Sequence, residues 1–188
     1  NTIGIKKYVD RNCKPLTKQD YHKNSKNIEL ELQRRAMITT ADFVIENLLD
    51  VDCFDDKFHL LKSSINLAKI DGLWLEFGVY KGTTINYISK IKVDKTIYGF
   101  DSFEGLPERW RGRIVEGTFA LSKKPKVNKN VKLIEGWFED TLPSFCQDNG
   151  GPISFLHVDC DIYSSTKTVF DNLKTRISKG TVIVFDEF

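Results

Sequence analysis

The sequence has no apolar run long enough to span a bilayer and no secretory leader, so membrane insertion is not expected. Its four cysteines, Cys13, Cys53, Cys146 and Cys160, form no CxxC pair and no metal-finger spacing. That excludes a zinc ribbon and a thioredoxin-like redox site, and leaves free thiols in a reducing compartment as the expectation. There is no GxGxxG, the fingerprint of dinucleotide-dependent oxidoreductases. Neither sign of charge dominates: 28 Lys and Arg stand against 26 Asp and Glu, a net of +2. Nothing global therefore points to nucleic acid or to an anionic membrane as partner. No Ser–His–Asp or Cys–His arrangement can be assembled. His22 and His59 fall in polar or helical context, and His157 reads as a packed or hydrogen-bonded core histidine. No repeat or low-complexity stretch is present. The chain also lacks an initiator Met, from which a trimmed N-terminus is expected, and with no membrane span or leader a cytoplasmic enzyme is the expectation.

What is present is ordinary globular material. The chain has 188 residues, 40% of them hydrophobic and 29% charged, enough for one domain with a small helical attachment. The charge is uneven. Residues 1–36 carry nine Lys and Arg against four acids, and the remainder carries 19 basic against 22 acidic residues. Such an arm could meet an anionic partner, with a solvated surface the favoured reading. Residues 1–25 read as a loosely ordered arm. From Ile28 to Leu49 the apolar spacing predicts one or two amphipathic helices, which are interface material for a homo-oligomer. A further helix is expected over about 56–69, so that 1–70 groups as an N-terminal arm with helices.

Beyond Asp71-Gly72 the pattern changes. Short apolar runs at 73–77, 96–100, 131–134, 153–158 and 181–185 alternate with helical spacing. Strands that are nearly all apolar, separated by helices, predict a parallel sheet covered on both faces: an α/β, Rossmann-like, doubly wound domain over 71–188. In such sheets ligands bind beyond the carboxyl ends of the strands. Glu76, Asp101, Asp159 and Asp186 all fall at or just past strand ends. Four carboxylates on one rim need cations or hydroxyls to satisfy them.

Four segments carry candidate chemistry. Glu76-Phe77-Gly78-Val79-Tyr80-Lys81-Gly82-Thr83 has the form ExGxxxG, a glycine-containing turn that lets a ligand approach the backbone; a plain tight turn would use similar residues. Asp101, followed by Ser102, ends the second strand, where an acid can bond ribose hydroxyls or merely cap a turn. Gly136, Trp137 and Phe138 follow the third strand, and the aromatics either flank a flat ring or enter the core. Asp159-Cys160-Asp161 ends the fourth strand and Asp186-Glu187 the fifth. Hard oxygen ligands on neighbouring strands suit Mg²⁺ or Ca²⁺ rather than zinc, and a carboxylate there can take a proton; capping is the alternative. Residues 102–130 read as a lid on the substrate side or as a solvated loop.

Taken together, LEFGVYKGTT at 75–84, GFDSFEGLPE at 99–108, EGWFEDTLP at 135–143, HVDCDIYSSTK at 157–167 and VIVFDEF at 182–188 resemble the macrocin O-methyltransferase family, class I enzymes acting on sugar hydroxyls of natural products. The resemblance implies the class I methyltransferase fold and S-adenosylmethionine as cofactor. It implies that Glu76, Gly78, Gly82 and Thr83 form the cofactor turn, Asp101 and Ser102 the ribose end, and Gly136 and Trp137 the surroundings of adenine. It implies Asp159 beside the cofactor and as a Mg²⁺ ligand, Asp161 as general base, and Asp186 with Glu187 completing the metal site. The family shows Asp-Asp where this chain has Asp186-Glu187, a side chain one methylene longer. The expected acceptor is a small-molecule hydroxyl, a sugar by family. Family members continue past the fifth strand with a helix and a hairpin, so a C-terminally truncated domain lacking the last strands is expected. Two rivals stand beside this reading: a nucleotide-cofactor oxidoreductase on a similar sheet, and a non-catalytic methyltransferase-fold binding module or partner subunit.

Overall fold

A computed structural model of the chain describes residues 27–48 and 50–186. The basic N-terminal arm, Leu49, and Glu187 with Phe188 lie outside the described residues. The described chain forms two compact units, which divide between Asp52 and Cys53.

The first unit holds helix α1, Ile28–Asn47, whose N-cap Asn27 accepts a hydrogen bond from the Leu30 amide. It is one continuous helix and buries none of its residues. Ile28, Leu32, Met37, Ile38, Phe43 and Ile45 are all exposed. The reason is visible in the sequence: at 100° per residue, alternating Ile28, Leu30 and Leu32 followed by Met37 and Ile38 scatter around the helix rather than lining one stripe.

The second unit opens with helix α2, Lys57–Leu67, capped by the Asp56 carboxylate, which accepts from the amides of Phe58 and His59. Then follow strand β1 (Leu73–Phe77), helix α3 (Thr83–Ile91), β2 (Ile97–Asp101), β3 (Val131–Glu135), α4 (Phe138–Asp148), β4 (Ile153–Val158), α5 (Tyr163–Leu173), a 3₁₀ turn (Lys174–Arg176) and β5 (Val182–Phe185). All five strands pair in parallel in the order β3-β2-β1-β4-β5. This is the expected Rossmann-like, doubly wound sheet. The central strands β1 and β4 are the most buried, matching their nearly unbroken apolar runs.

Side chains alternate between the two faces. On one face Trp74, Ile97, Phe155 and Val184 pack with Leu61 and Ile65 of α2 and with Ile85 and Ile88 of α3. Helix α2, within the N-terminal stretch of the sequence reading, thus contributes to the core of the sheet. On the other face Leu75, Phe77, Phe100 and Leu156 pack with Leu142 and Phe145 of α4 and with Val169 and Leu173 of α5. The chain steps outward from β1 through β2 to β3, then returns to the other side of β1 to lay down β4 and β5. The crevice where the direction reverses lies beyond the carboxyl ends of β1 and β4.

Gly78 seals the floor of that crevice. Its amide donates to the Phe100 carbonyl at 3.0 Å, its φ is +88°, and a Cβ there would lie 1.6 Å from the Asp159 carbonyl oxygen. The turn after β1 is thereby pressed onto the chain leaving β4 with no room for a side chain.

Candidate active site

A cavity of about 490 Å³ opens at the crevice. Gly78, Val79, Tyr80 and Thr83 come from the turn between β1 and α3. Asp101 and Ser102 come from the end of β2, Trp137 and Phe138 from the start of α4, Asp159, Cys160 and Asp161 from the β4–α5 loop, and Asp186 from the end of β5. Eight of the residues singled out from the sequence therefore line this one cavity: Gly78, Thr83, Asp101, Ser102, Trp137, Asp159, Asp161 and Asp186. Glu76, Gly82 and Gly136 do not line the cavity. Gly82 instead caps α3 at φ +78°, and Gly136 turns the chain out of β3 at φ +133°.

Glu76 stands behind the wall, fully buried, with both oxygens taken. Thr84 donates its hydroxyl to Oε1 at 3.0 Å, and Oε2 lies 2.9 Å from Nδ1 of His157, which is 1% exposed. Burial works against charge on the imidazole. The hydrogen bond and charge of Glu76, with Asp159 and Asp186 beyond it, outweigh that and raise the His157 pKa. The sequence did not reveal this pairing, because β1 and β4 are joined in register, Glu76 opposite His157, only in the folded sheet.

Asp101 does a second job besides facing the cavity. Its Oδ2 accepts from the amides of Val79 and Tyr80 at 2.9 and 2.7 Å, and Oδ1 accepts from Phe103 at 2.7 Å. It holds the β1–α3 turn in shape, which lets Tyr80 keep a positive φ of 46°. Trp137 lines the cavity, whereas Phe138 both reaches it and stacks edge-on against Phe77 in the core, so the two aromatics divide the roles the sequence left open.

Asp161 sits in a tight turn at φ +60°, closed by the Ile162 amide donating to the Cys160 carbonyl at 2.6 Å. A three-residue turn with positive φ at its centre is a strained form, and here it places Asp161 on the cavity wall. Tyr80 and Phe119, two more non-glycine residues of positive φ, line the same cavity and contact each other at 5.4 Å. Burial pushes the Cys160 thiol up to about 11, which disfavours the thiolate form.

Asp159 and Asp186 end neighbouring strands, and the Asp186 amide donates to the Val158 carbonyl. Burial first, then the carboxylates of Asp186 and Glu76, push the Asp159 carboxyl up to about 7; His157 and Lys57 oppose this without cancelling it. Lys57, at the start of α2, lies 3.4 Å from Asp186 and also faces the cavity, a residue no sequence motif marked. Two crowded hard-oxygen donors, one of them prone to keep its proton, fit a divalent cation such as Mg²⁺. Glu187, the third expected ligand, lies outside the described residues. A raised carboxyl pKa contributes stability that is present at low pH and is lost as pH rises through the folded value. Asp159→Asn should therefore melt at a higher temperature than the wild type at pH 8, with the gap narrowing toward pH 5; thermal melts across that range check it.

The segment between β2 and β3 covers the cavity on its outer side through Gly105, Leu106, Pro107, Trp110, Arg111 and Phe119. It is an ordered loop. Leu106 and Thr118 exchange backbone bonds with their surroundings, Leu121 donates to Phe103, and Ser164 at the start of α5 donates to Glu108 at 2.6 Å. Its return limb is stitched to α3 by Asn128 and Asn130, which bond Asn86, Ser89 and the carbonyl of Lys92.

Known proteins are similar to this chain. An 8-demethyl-8-(2,3-dimethoxy-alpha-L-rhamnosyl)-tetracenomycin-C 4'-O-methyltransferase of Streptomyces olivaceus is 24% identical over 143 residues, covering 63% of this chain and 54% of that protein. A demethyldecarbamoylnovobiocin O-methyltransferase of Streptomyces niveus is 27% identical over 114 residues, covering 50% and 42%. The chain thus spans about half the length of the curated relatives it matches. The crystal structure of the calicheamicin methyltransferase CalS11 superposes with a TM-score of 0.58 at 20% identity, over 96% of this chain and 74% of that one, which establishes the shared fold. Residues 75–188 match the family described as Methyltransferase domain, and the chain belongs to that family.

Proposed function

We propose that this chain transfers the methyl group of S-adenosylmethionine to a hydroxyl of a small molecule, a sugar or a sugar-bearing compound. The observation that carries the reading is the convergence on one cavity of the β1–α3 turn, the Asp101 strand end and the acidic group Asp159, Asp161 and Asp186. Both curated relatives are named as O-methyltransferases, one for a rhamnosyl compound.

In this reading the β1–α3 turn and Asp101 hold the amino-acid and ribose parts of the cofactor, and Trp137 flanks the adenine. The acceptor enters under the 105–119 loop. Its oxygen attacks the methyl carbon in line with the departing sulfur. A carbon–oxygen bond forms as the carbon–sulfur bond breaks, leaving neutral S-adenosylhomocysteine, and the hydroxyl proton passes to the Asp161 carboxylate. Alignment of the reacting atoms supplies much of the acceleration, and proton removal by a positioned base supplies about 10²–10⁴-fold more. Asp159 and Asp186 would hold Mg²⁺, which when bound lowers the pKa of an acceptor hydroxyl.

Calorimetric titration of S-adenosylhomocysteine into the protein tests the cofactor site. Saturable binding is expected, and Asp101→Ala should abolish it, since that change removes the ribose acceptor and the three-bond clamp on the turn together. Binding that survives Asp101→Ala at wild-type strength would rule out this placement of the cofactor.

A further inference from the structure

The mechanism above leaves the buried pair behind the wall unexplained. A carboxylate and an imidazole buried in the centre of a sheet are costly to desolvate, and apolar pairs of similar size often pack in such places with little or no loss of stability. The pair does not stand alone. His157 lies near the end of β4 and Asp159 just past it, where its amide still donates to the Phe77 carbonyl of β1, and His157 pairs with Val184 in β5, two residues before Asp186. A ring nitrogen of His157, a carboxylate oxygen of Asp159 and one of Asp186 all lie within 4.8 Å of one another. Atoms bound to one ion at about 2.0–2.2 Å are at most about 4.4 Å apart, so small rotations of the two carboxylates would close the set.

Imidazoles that bind metals characteristically give one nitrogen to the ion and hold the other on a carboxylate, which fixes the ring and its tautomer. Glu76 is placed to do this: Oε2 takes His157 Nδ1 at 2.9 Å while Thr84 fixes Oε1 at 3.0 Å. Resting on the reading of Asp159 and Asp186 as a cation site, we infer that His157 supplies its Nε2 as a nitrogen ligand to that ion, oriented by Glu76, so that the site takes a first-row transition ion such as Mn²⁺ in preference to Mg²⁺. A mixed nitrogen and oxygen set discriminates against Mg²⁺, whose affinity for imidazole is poor.

Mn²⁺ itself is the probe. Pulsed electron paramagnetic resonance of the full chain loaded with Mn²⁺ should show modulation from a directly bound nitrogen, and the pattern should change when the protein carries ¹⁵N-histidine. The signal should persist in His22→Gln and His59→Gln and vanish in His157→Gln and Asp159→Asn. Competition titration should show Mn²⁺ binding at least about tenfold tighter than Mg²⁺, with that ratio collapsing in His157→Gln. Bound Mn²⁺ without a histidine nitrogen, or no saturable Mn²⁺ binding, overturns the inference. Should His157→Gln fail to fold, the isotope comparison on the wild type decides the matter. S-adenosylhomocysteine titrated into the same samples keeps the two readings apart: cofactor binding without a histidine-bound ion defeats the ligand role alone, and loss of cofactor binding counts against methyl transfer.

Discussion

Asp161→Asn should lower the rate of methyl transfer by about 10²–10⁴-fold, the range expected for loss of a positioned general base, while S-adenosylhomocysteine binds with nearly unchanged affinity. The substitution is chosen for its geometry. Asp161 holds φ at +60° within the three-residue turn at the cavity edge. Among non-glycine residues, Asn tolerates that backbone conformation as readily as Asp. The amide keeps the size and shape of the carboxyl while losing its negative charge and with it the capacity to take a proton. Asp161→Ala would be a poorer test, because alanine is strained at positive φ and the turn itself could move. Single-turnover assays of methyl transfer, run beside cofactor titration, separate the outcomes. Loss of cofactor affinity together with activity would mean that Asp161 shapes the binding site rather than receiving the proton. Unimpaired transfer would mean that the base lies elsewhere on the acidic wall.

The sheet was legible from sequence because each strand announces itself. Leu73–Phe77 and Ile153–Val158 are short apolar runs between turn residues, and their positions match the observed strands closely. The strand-end acids were legible for the same reason, since a carboxylate just past a buried strand must lie on the rim. Their grouping on one cavity follows from strand order, which the alternation of strands and helices already implied. Other features depend on contacts distant in sequence, and no local pattern encodes them. Lys57 reaches the site only because α2 packs on the α3 side of the sheet, 129 residues from its partner Asp186. The double duty of Asp101 was hidden, because an Asp at a strand end looks the same whether it faces a ribose or clamps the backbone of the neighbouring turn. The 102–130 segment reads as polar and irregular, yet it is held by backbone bonds between residues about a dozen positions apart and by asparagines that reach back to α3. Scattered loop hydrogen bonds of this kind have no periodicity to detect. Helix α1 shows the converse: apolar content suggested an amphipathic face, and counting residues around the helix disperses it.

Glu76 separates a fold role from a ligand role most sharply. The family resemblance implied Glu76 in the cofactor turn, whereas the structure gives its carboxylate to Thr84 and His157, wholly out of solvent. Glu76→Leu should therefore destabilise the protein by about 3–5 kcal/mol, the usual cost of removing one partner from a buried ion pair. The cost arises less from the lost attraction than from stranding the imidazole, and the Thr84 hydroxyl, without an acceptor. A second change makes the argument specific. Glu76→Leu combined with His157→Leu removes both polar groups, and the double variant should regain much of the lost stability, falling well short of the sum of the single effects. Urea unfolding of the four proteins measures this coupling directly. Strong coupling with S-adenosylhomocysteine still bound by the folded single variants would place Glu76 in the architecture behind the site. Additive, small losses of stability with cofactor binding abolished would put its carboxylate on the ligand, as the family resemblance implied.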